Sequence, residues 1–135
     1  MKAIPQIQKY MTTTPYVINA ESTIEEADKV MKKHNIRHLP VVVVEGQKYG
    51  ILSDRDVKYA MSLAGFDVRH ALVKDIYEEV PYITKPTTLI SDVSAELAER
   101  KVGSALIMDN GHLVGIFTTT DVCRALNDLC HTRWT

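Results

Sequence analysis

Two segments of this chain, 65 positions apart, spell the same phrase: Gly50-Ile51-Leu52-Ser53-Asp54-Arg55-Asp56-Val57 and Gly115-Ile116-Phe117-Thr118-Thr119-Thr120-Asp121-Val122. Each reads Gly, two apolar residues, a hydroxyl residue, two spacers, Asp, Val. An internal repeat constrains the fold strongly, because each copy is one supersecondary unit that needs a neighbour to bury its apolar face. The correspondence extends further, at an offset of 66: Pro15-Tyr16-Val17 answers Pro81-Tyr82-Ile83, and Ile36-Arg37-His38-Leu39 answers Val102-Gly103-Ser104-Ala105. The offset changes by one between Val44 and Gly50, where a turn absorbs it. The chain is therefore a tandem duplication, with repeats expected at 1–66 and 67–135.

At 135 residues the two repeats fit one compact domain. A chain of this size buries roughly two-thirds of its unfolded surface, whereas either half alone would be marginal. Sixteen basic residues face seventeen acidic ones, for a net charge of −1. That balance leaves no electrostatic footprint for nucleic acid or an anionic membrane. No apolar run approaches the roughly 20 residues that span a bilayer. Met1-Lys2-Ala3-Ile4-Pro5 has no signal-peptide apolar core, so a cytoplasmic location is expected. Cys123 and Cys130 stand seven apart in a helical pattern, with Cα atoms about 10 Å apart, too far for a disulfide. Free, buried thiols in a reducing compartment are expected.

Each half reads strand, helix, strand, strand, helix, which predicts an α/β fold with short three-stranded sheets. In the first half Tyr16-Val17-Ile18 is a strand, and Ser22 with Glu25 offers a capping box. Ile24, Ala27, Val30 and Met31 follow at helical spacing. Val41 to Val44 reads as a strand buried on both faces. Glu45 to Lys48 turns the chain into a strand from Tyr49 to Leu52, and a helix from Asp54 carries Val57, Ala60, Met61 and Ala64 on one face. In the second half Tyr82 to Thr84 is a strand, and Leu89 to Arg100 a helix burying Ile90, Val93 and Leu97. Strands Ala105 to Met108 and Leu113 to Phe117 flank Asn110-Gly111, a type I′ hairpin signal. The last helix turns Val122, Ala125, Leu126 and Leu129 inward. Gly65 to Leu72 reads as a linker, Val73 to Ile76 as a helical turn matching Gln8 to Met11, and His131 to Thr135 as a loose tail.

The chemistry concentrates where the repeated strand runs into its helix. A Ser or Thr there places a hydroxyl beside free backbone N–H groups, a ready anion site. An Asp three residues on can accept hydrogen bonds from vicinal hydroxyls. Ser53/Asp56 and Thr118/Asp121 thus suit a ribose phosphate, with hydroxyl and amides on phosphate and carboxylate on ribose. The same spacing is also a plain helix cap. Both readings stand at this stage, although two copies after Gly and two apolar residues favour a ligand.

The duplicated phrase, with a Leu-Pro-Val-Val strand (Leu39 to Val42) about 14 residues upstream, resembles the cystathionine β-synthase (CBS) domain pair, or Bateman module. The resemblance covers roughly Ile7 to Asp128, and both repeats carry the signature. It implies tandem β-α-β-β-α repeats packed with pseudo-two-fold symmetry around two clefts, and a homodimer. It also implies an adenosine-containing regulatory ligand (AMP, ADP, ATP or S-adenosylmethionine) and no required cofactor. Carried over, the first cleft would use Asp56 for ribose with Ser53 and Arg55 beside it. Arg37 and His38 match positions that meet phosphates in nucleotide-sensing members, and Ile83 and Val102 would wall the adenine. The second would use Asp121, Thr118 and Thr120, with Thr12, Val17 and Ile36. At the positions of Arg37 and His38 it has Gly103 and Ser104, so polyphosphate suits the first cleft and a monophosphate or adenosyl group the second. Glu78 stands in the first cleft where Thr12 stands in the second, and its charge opposes phosphate.

Arg37 and His38 have a plainer reading too, as cations beyond a helix C-terminus. His34 and His38 have the spacing of a zinc pair on one helical face, but Asn35 and Pro40 end the helix first. No GxxxxGK loop, GxGxxG or nucleophile elbow is present. Asp54 and Asp56, the one carboxylate pair available to a nucleotide hydrolase, fall on different faces of a helix start. The leading expectation is a stand-alone, non-enzymatic ligand sensor acting through a separate protein target or self-association. The alternative is a ligand-free pair serving as a dimerisation or protein-interaction module.

Overall fold

The computed structural model describes residues 3–134. The chain forms two compact units whose boundaries do not fall at 66/67. Pro15–Pro81 makes a contiguous unit, while the segment up to Thr14 joins the chain from Tyr82 onward in a composite unit. Each unit thus takes in the opening residues of the other sequence repeat.

In the contiguous unit, β1 of the chain (Thr12–Thr13) is not involved; β2 (Ile18–Asn19) lies parallel to β3 (His38–Val44), which pairs antiparallel with β4 (Lys48–Ser53). Parallel neighbours need a crossover, and α1 (Ile24–His34) provides it. The expected cap shifts by one residue. Thr23, not Ser22, accepts a bond from the Glu26 N–H at 3.1 Å. The helix ends at Asn35 in the left-handed conformation (φ 52°), before Arg37. Helix α2 (Asp54–Ser62) follows β4 directly.

Ile24, Ala27, Met31, Leu39, Val41, Leu52, Val57 and Val73 form this unit's core. β3 is not buried on both faces throughout, since Val44 at its end is 45% exposed. Ala64 leaves the expected inner face because α2 stops at Ser62, and Met61, in the last turn, is 48% exposed. The stretch read as a linker is packed. Phe66, Val68 and Ala71 rest on the core, and the Ala71 and Val68 carbonyls accept from the Ile24 and Glu25 N–H groups at 3.0 Å. A 3-10 turn follows at Val73–Asp75, and Ile51 then exchanges backbone bonds with Glu78.

The composite unit has four strands where three were expected, in the order β1, β7 (His112–Thr118), β6 (Ser104–Asp109), β5 (Ile83–Thr84). Its extra strand is Thr12–Thr13, antiparallel to β7 with Thr12 opposite Ile116. Helix α3 (Ile90–Arg100) crosses from β5 to its parallel neighbour β6. Asn110 and Gly111 both take positive φ (51° and 80°), as a type I′ turn requires. A 3-10 turn at Ile7–Lys9 buries Ile7, whose N–H donates to the Thr88 carbonyl at 2.7 Å. Ile7, Ile90, Val93, Leu97, Ala105, Ile107, Phe117 and Ala125 form the core.

Helix α4 (Thr119–Arg133) runs through most of the supposed tail, of which Thr135 lies outside the described residues. Its inner stripe is Val122, Ala125 and Leu129, whereas Leu126 is 59% exposed. Cys123 and Cys130 share the outer face with Leu126. The thiols are free, as expected, but exposed rather than buried.

Candidate functional site

Both repeated phrases fold into the same turn. In the contiguous unit Ser53 ends β4 in extended conformation and caps α2. Its side chain accepts from the Asp56 N–H, and Asp56 Oδ2 accepts from the Ser53 N–H, both at 3.1 Å. The Asp54 N–H donates to the Arg37 carbonyl at 2.8 Å, and His38 lies opposite Ser53 across the β3–β4 ladder. The unit therefore brings Arg37, His38, Ser53 and Asp56 to one end of its sheet, with exposed Arg55 on the first turn of α2. Burial pushes the His38 imidazole below its ordinary range. The Asp56 charge partly offsets this, while Arg37 adds to it.

The composite unit repeats the construction with different neighbours. Thr118 caps α4, and the Thr119 N–H donates to the Gly103 carbonyl at 3.1 Å, as Asp54 does to Arg37. Ser104 lies opposite Thr118, where His38 lies opposite Ser53. Asp121 is only 4% exposed. Its carboxylate accepts from the Thr118 N–H at 2.9 Å, the Thr118 hydroxyl at 3.2 Å, the Thr12 hydroxyl at 3.4 Å and Arg124 Nη1 at 3.3 Å. Thr120 stands exposed on the first turn of α4.

The apolar residues assigned to the two clefts divide between the units: Val17 and Ile36, given to the second cleft, belong to the contiguous unit, and Ile83 and Val102, given to the adenine wall of the first, to the composite one. Ile36 packs partly against a core. Val17, Ile83 and Val102 are 44%, 50% and 41% exposed, so a large part of their apolar surface stays open to solvent. Glu78 pairs with Ile51 as Thr12 pairs with Ile116, but its carboxylate accepts from the Val80 N–H at 2.9 Å. His34 stacks on Tyr16 at 3.6 Å between ring centroids, on a different element from His38, so the two do not share a helical face. Sequence reasoning missed Arg124, although an acid and a base three apart on a helix is the pattern that would have shown it. It also missed a hollow of about 420 Å³ in the composite unit, lined by Ile83, Thr84, Lys85, Thr88, Met108, Asn110 and Gly111. Among the described residues no helix is long and apolar enough to cross a membrane.

Twin sheets, each followed by a hydroxyl–carboxylate cap, define a duplicated α/β module with equivalent turns. The CBS domain model matches this chain twice, at residues 7–63 and 73–128, and the chain belongs to the CBS domain family. CBS domain pairs are regulatory modules. A 17.7 kDa protein from the bps2 3′ region of Acidianus ambivalens is 32% identical over 92% of this chain and 74% of its own length. Inosine-5′-monophosphate dehydrogenase of Bifidobacterium longum is 34% identical over 82% of the chain, which spans only 20% of that enzyme. Among solved structures, the CBS domain pair of protein MJ0100 has a TM-score of 0.83 at 22% identity, covering 93% of this chain and 98% of that one. It was solved in complex with 5′-methylthioadenosine and S-adenosyl-L-methionine. A hexameric CBS-CP12 protein from bloom-forming cyanobacteria has a TM-score of 0.86 at 24% identity, covering 98% and 78%. These two likenesses show the fold.

Proposed function

We propose that this module senses an adenosine-containing ligand, holding the ribose at a hydroxyl–carboxylate turn and transmitting occupancy as a change of conformation or assembly. The observation that carries the reading is the twice-built turn, accompanied by three apolar residues, Val17, Ile83 and Val102, that neither core uses. A vicinal diol supplies two O–H donors to a carboxylate, and the free N–H groups of a helix start favour phosphate. Arg37 and Arg55 give the contiguous unit's turn cationic neighbours, with the neutral His38 imidazole beside them, which favour AMP, ADP or ATP there. The other turn has Gly103, Ser104 and Thr120 instead, and suits a less charged adenosyl group. The adenosyl ligands of protein MJ0100 fit this class. A sensor of this kind works because a ligand that prefers one arrangement shifts the population toward it.

A second reading, an interaction module with no ligand, draws on two observations. Both carboxylates already serve as helix caps, and Tyr59, Met61, Leu63 and Leu126 expose apolar surface on α2, just beyond it, and on α4. Self-association, with a homodimer as the smallest form, is compatible with either reading.

Thermal-shift titration with AMP, ADP, ATP, S-adenosylmethionine and NAD, beside guanosine controls, separates the two. Ligand at 100 times its Kd adds about 2.7 kcal/mol, a rise of several degrees for a chain of this size. A shift confined to adenosine compounds supports the sensor. No shift with any of them overturns it in favour of the interaction module.

A further inference from the structure

The two turns share a backbone but not the state of their carboxylates. Asp121 has both oxygens engaged: Oδ2 by the Thr118 N–H and hydroxyl, Oδ1 by Arg124, and both by the Thr12 hydroxyl. Asp56 is half-buried, and among the described residues only the Ser53 N–H reaches it, on Oδ2.

The sequence explains the difference. In the contiguous unit the counterpart of Thr12 is Glu78, which has no hydroxyl to donate and turns its carboxylate to Val80. The counterpart of Arg124, 65 positions earlier, is Tyr59, 67% exposed on α2. A diol arriving at Asp56 finds open lone pairs. One arriving at Asp121 must first displace a hydroxyl and a guanidinium from a carboxylate that is 4% exposed, and leave those donors to find other partners.

We infer that the two turns are unequal by construction: Asp56 is the carboxylate that receives the ribose, Asp121 is held as part of the composite unit's framework, and one adenosine ligand binds per chain. This rests on the adenosine reading above. Arg124 and Thr12 act as the lock on the second turn, a role distinct from touching ligand.

Isothermal titration of the intact chain with AMP, ATP and S-adenosylmethionine in turn tests it. One equivalent is expected for the wild type. Asp56→Asn, checked as folded by circular dichroism, should weaken binding about tenfold or more, the scale of a lost charge-assisted bond. The double variant Thr12→Val/Arg124→Gln, which frees Asp121 without altering it, should raise the stoichiometry toward two. Two equivalents in the wild type, or a full equivalent surviving at unchanged affinity in Asp56→Asn, would overturn the inference and leave the adenosine reading intact. No heat from any of the three ligands would remove both.

Discussion

Gly50 lies so close to Tyr77 that a Cβ built on it would come within 2.4 Å of the Tyr77 ring and 2.7 Å of the Glu78 carbonyl oxygen. The glycine that opens the repeated phrase is thus a packing requirement. It lets the segment ending the contiguous unit cross β4 and exchange backbone bonds with Ile51. A Cβ built on Gly115, its counterpart, would come within 2.8 Å of Met11 Sδ and 3.0 Å of the Thr12 carbonyl oxygen. A thioether yields more readily than a ring wedged against backbone. Gly50→Ala should therefore cost about 1–3 kcal/mol, the range for overpacking, and Gly115→Ala less. Urea midpoints measured side by side check the order, and a Gly115→Ala loss equal to or larger than that of Gly50→Ala refutes it.

Thr12 and Asp121 meet across the sheet of the composite unit at 3.4 Å. These are long bonds, and the carboxylate keeps its Thr118 and Arg124 partners when Thr12 is removed. Thr12→Val should cost about 0.5–1 kcal/mol, the lower part of the range for a hydrogen bond, or a few degrees in Tm. Val is close in shape and β-branched, so it suits the strand equally well. A Tm at or above that of the wild type would mean that Thr12 does not restrain Asp121.

Much of this was legible because it is local. The cap at each repeated phrase, the Asn110-Gly111 turn and the span of α3 follow from residues within a few positions of each other. The exchange of Thr12–Thr13 and residues 67–81 between sequence repeat and compact unit was not. Thr12 finds its partner at Ile116, far along the chain, and a two-residue strand carries no period to read. The shift of the α1 cap from Ser22 to Thr23 has a different cause, since two hydroxyls and two glutamates in register offer the same motif twice. The exposed thiols of α4 were misread because Val122, Ala125 and Leu129 already complete the inner stripe, leaving Cys123 and Cys130 on the other face. The inequality of Asp56 and Asp121 depends on what stands around each, at Glu78 and Tyr59 against Thr12 and Arg124.

His38 gives the stability a pH limb of known sign. Burial lowers its pKa in the folded chain below the ordinary 6.5. Above pH 6.5 the imidazole is neutral both folded and unfolded and contributes nothing. Below 6.5 the unfolded state takes up the proton first, so stability falls with pH until the folded pKa is passed. Wild-type Tm should accordingly decline as pH drops below about 6.5, and His38→Gln should flatten that decline. The His38 ring resonance, followed by NMR, should titrate below 6.5. A midpoint above 6.5, or an unchanged limb in His38→Gln, contradicts the assignment.

Tyr10 ties the N-terminal segment to the last helix, its hydroxyl donating to Asp128 on α4. Arg133 reinforces the seam by donating to the Ala3 carbonyl at 2.7 Å. The Asp128 hydrogen bond is the main reason the Tyr10 pKa rises above its ordinary 10.0, with burial second. A pKa raised by folding stabilises below the unfolded value and loses that contribution as pH climbs through the folded one. Tyr10→Phe keeps the ring against the core and removes only the donor. It should cost about 1 kcal/mol at neutral pH. The gap from wild type should hold up to pH 10 and narrow above it, as the unfolded chain's tyrosine gives up its proton before the folded one does. Tm series for both proteins from pH 7 to 11 decide the matter, since a bond of no consequence would leave the two curves superimposed throughout.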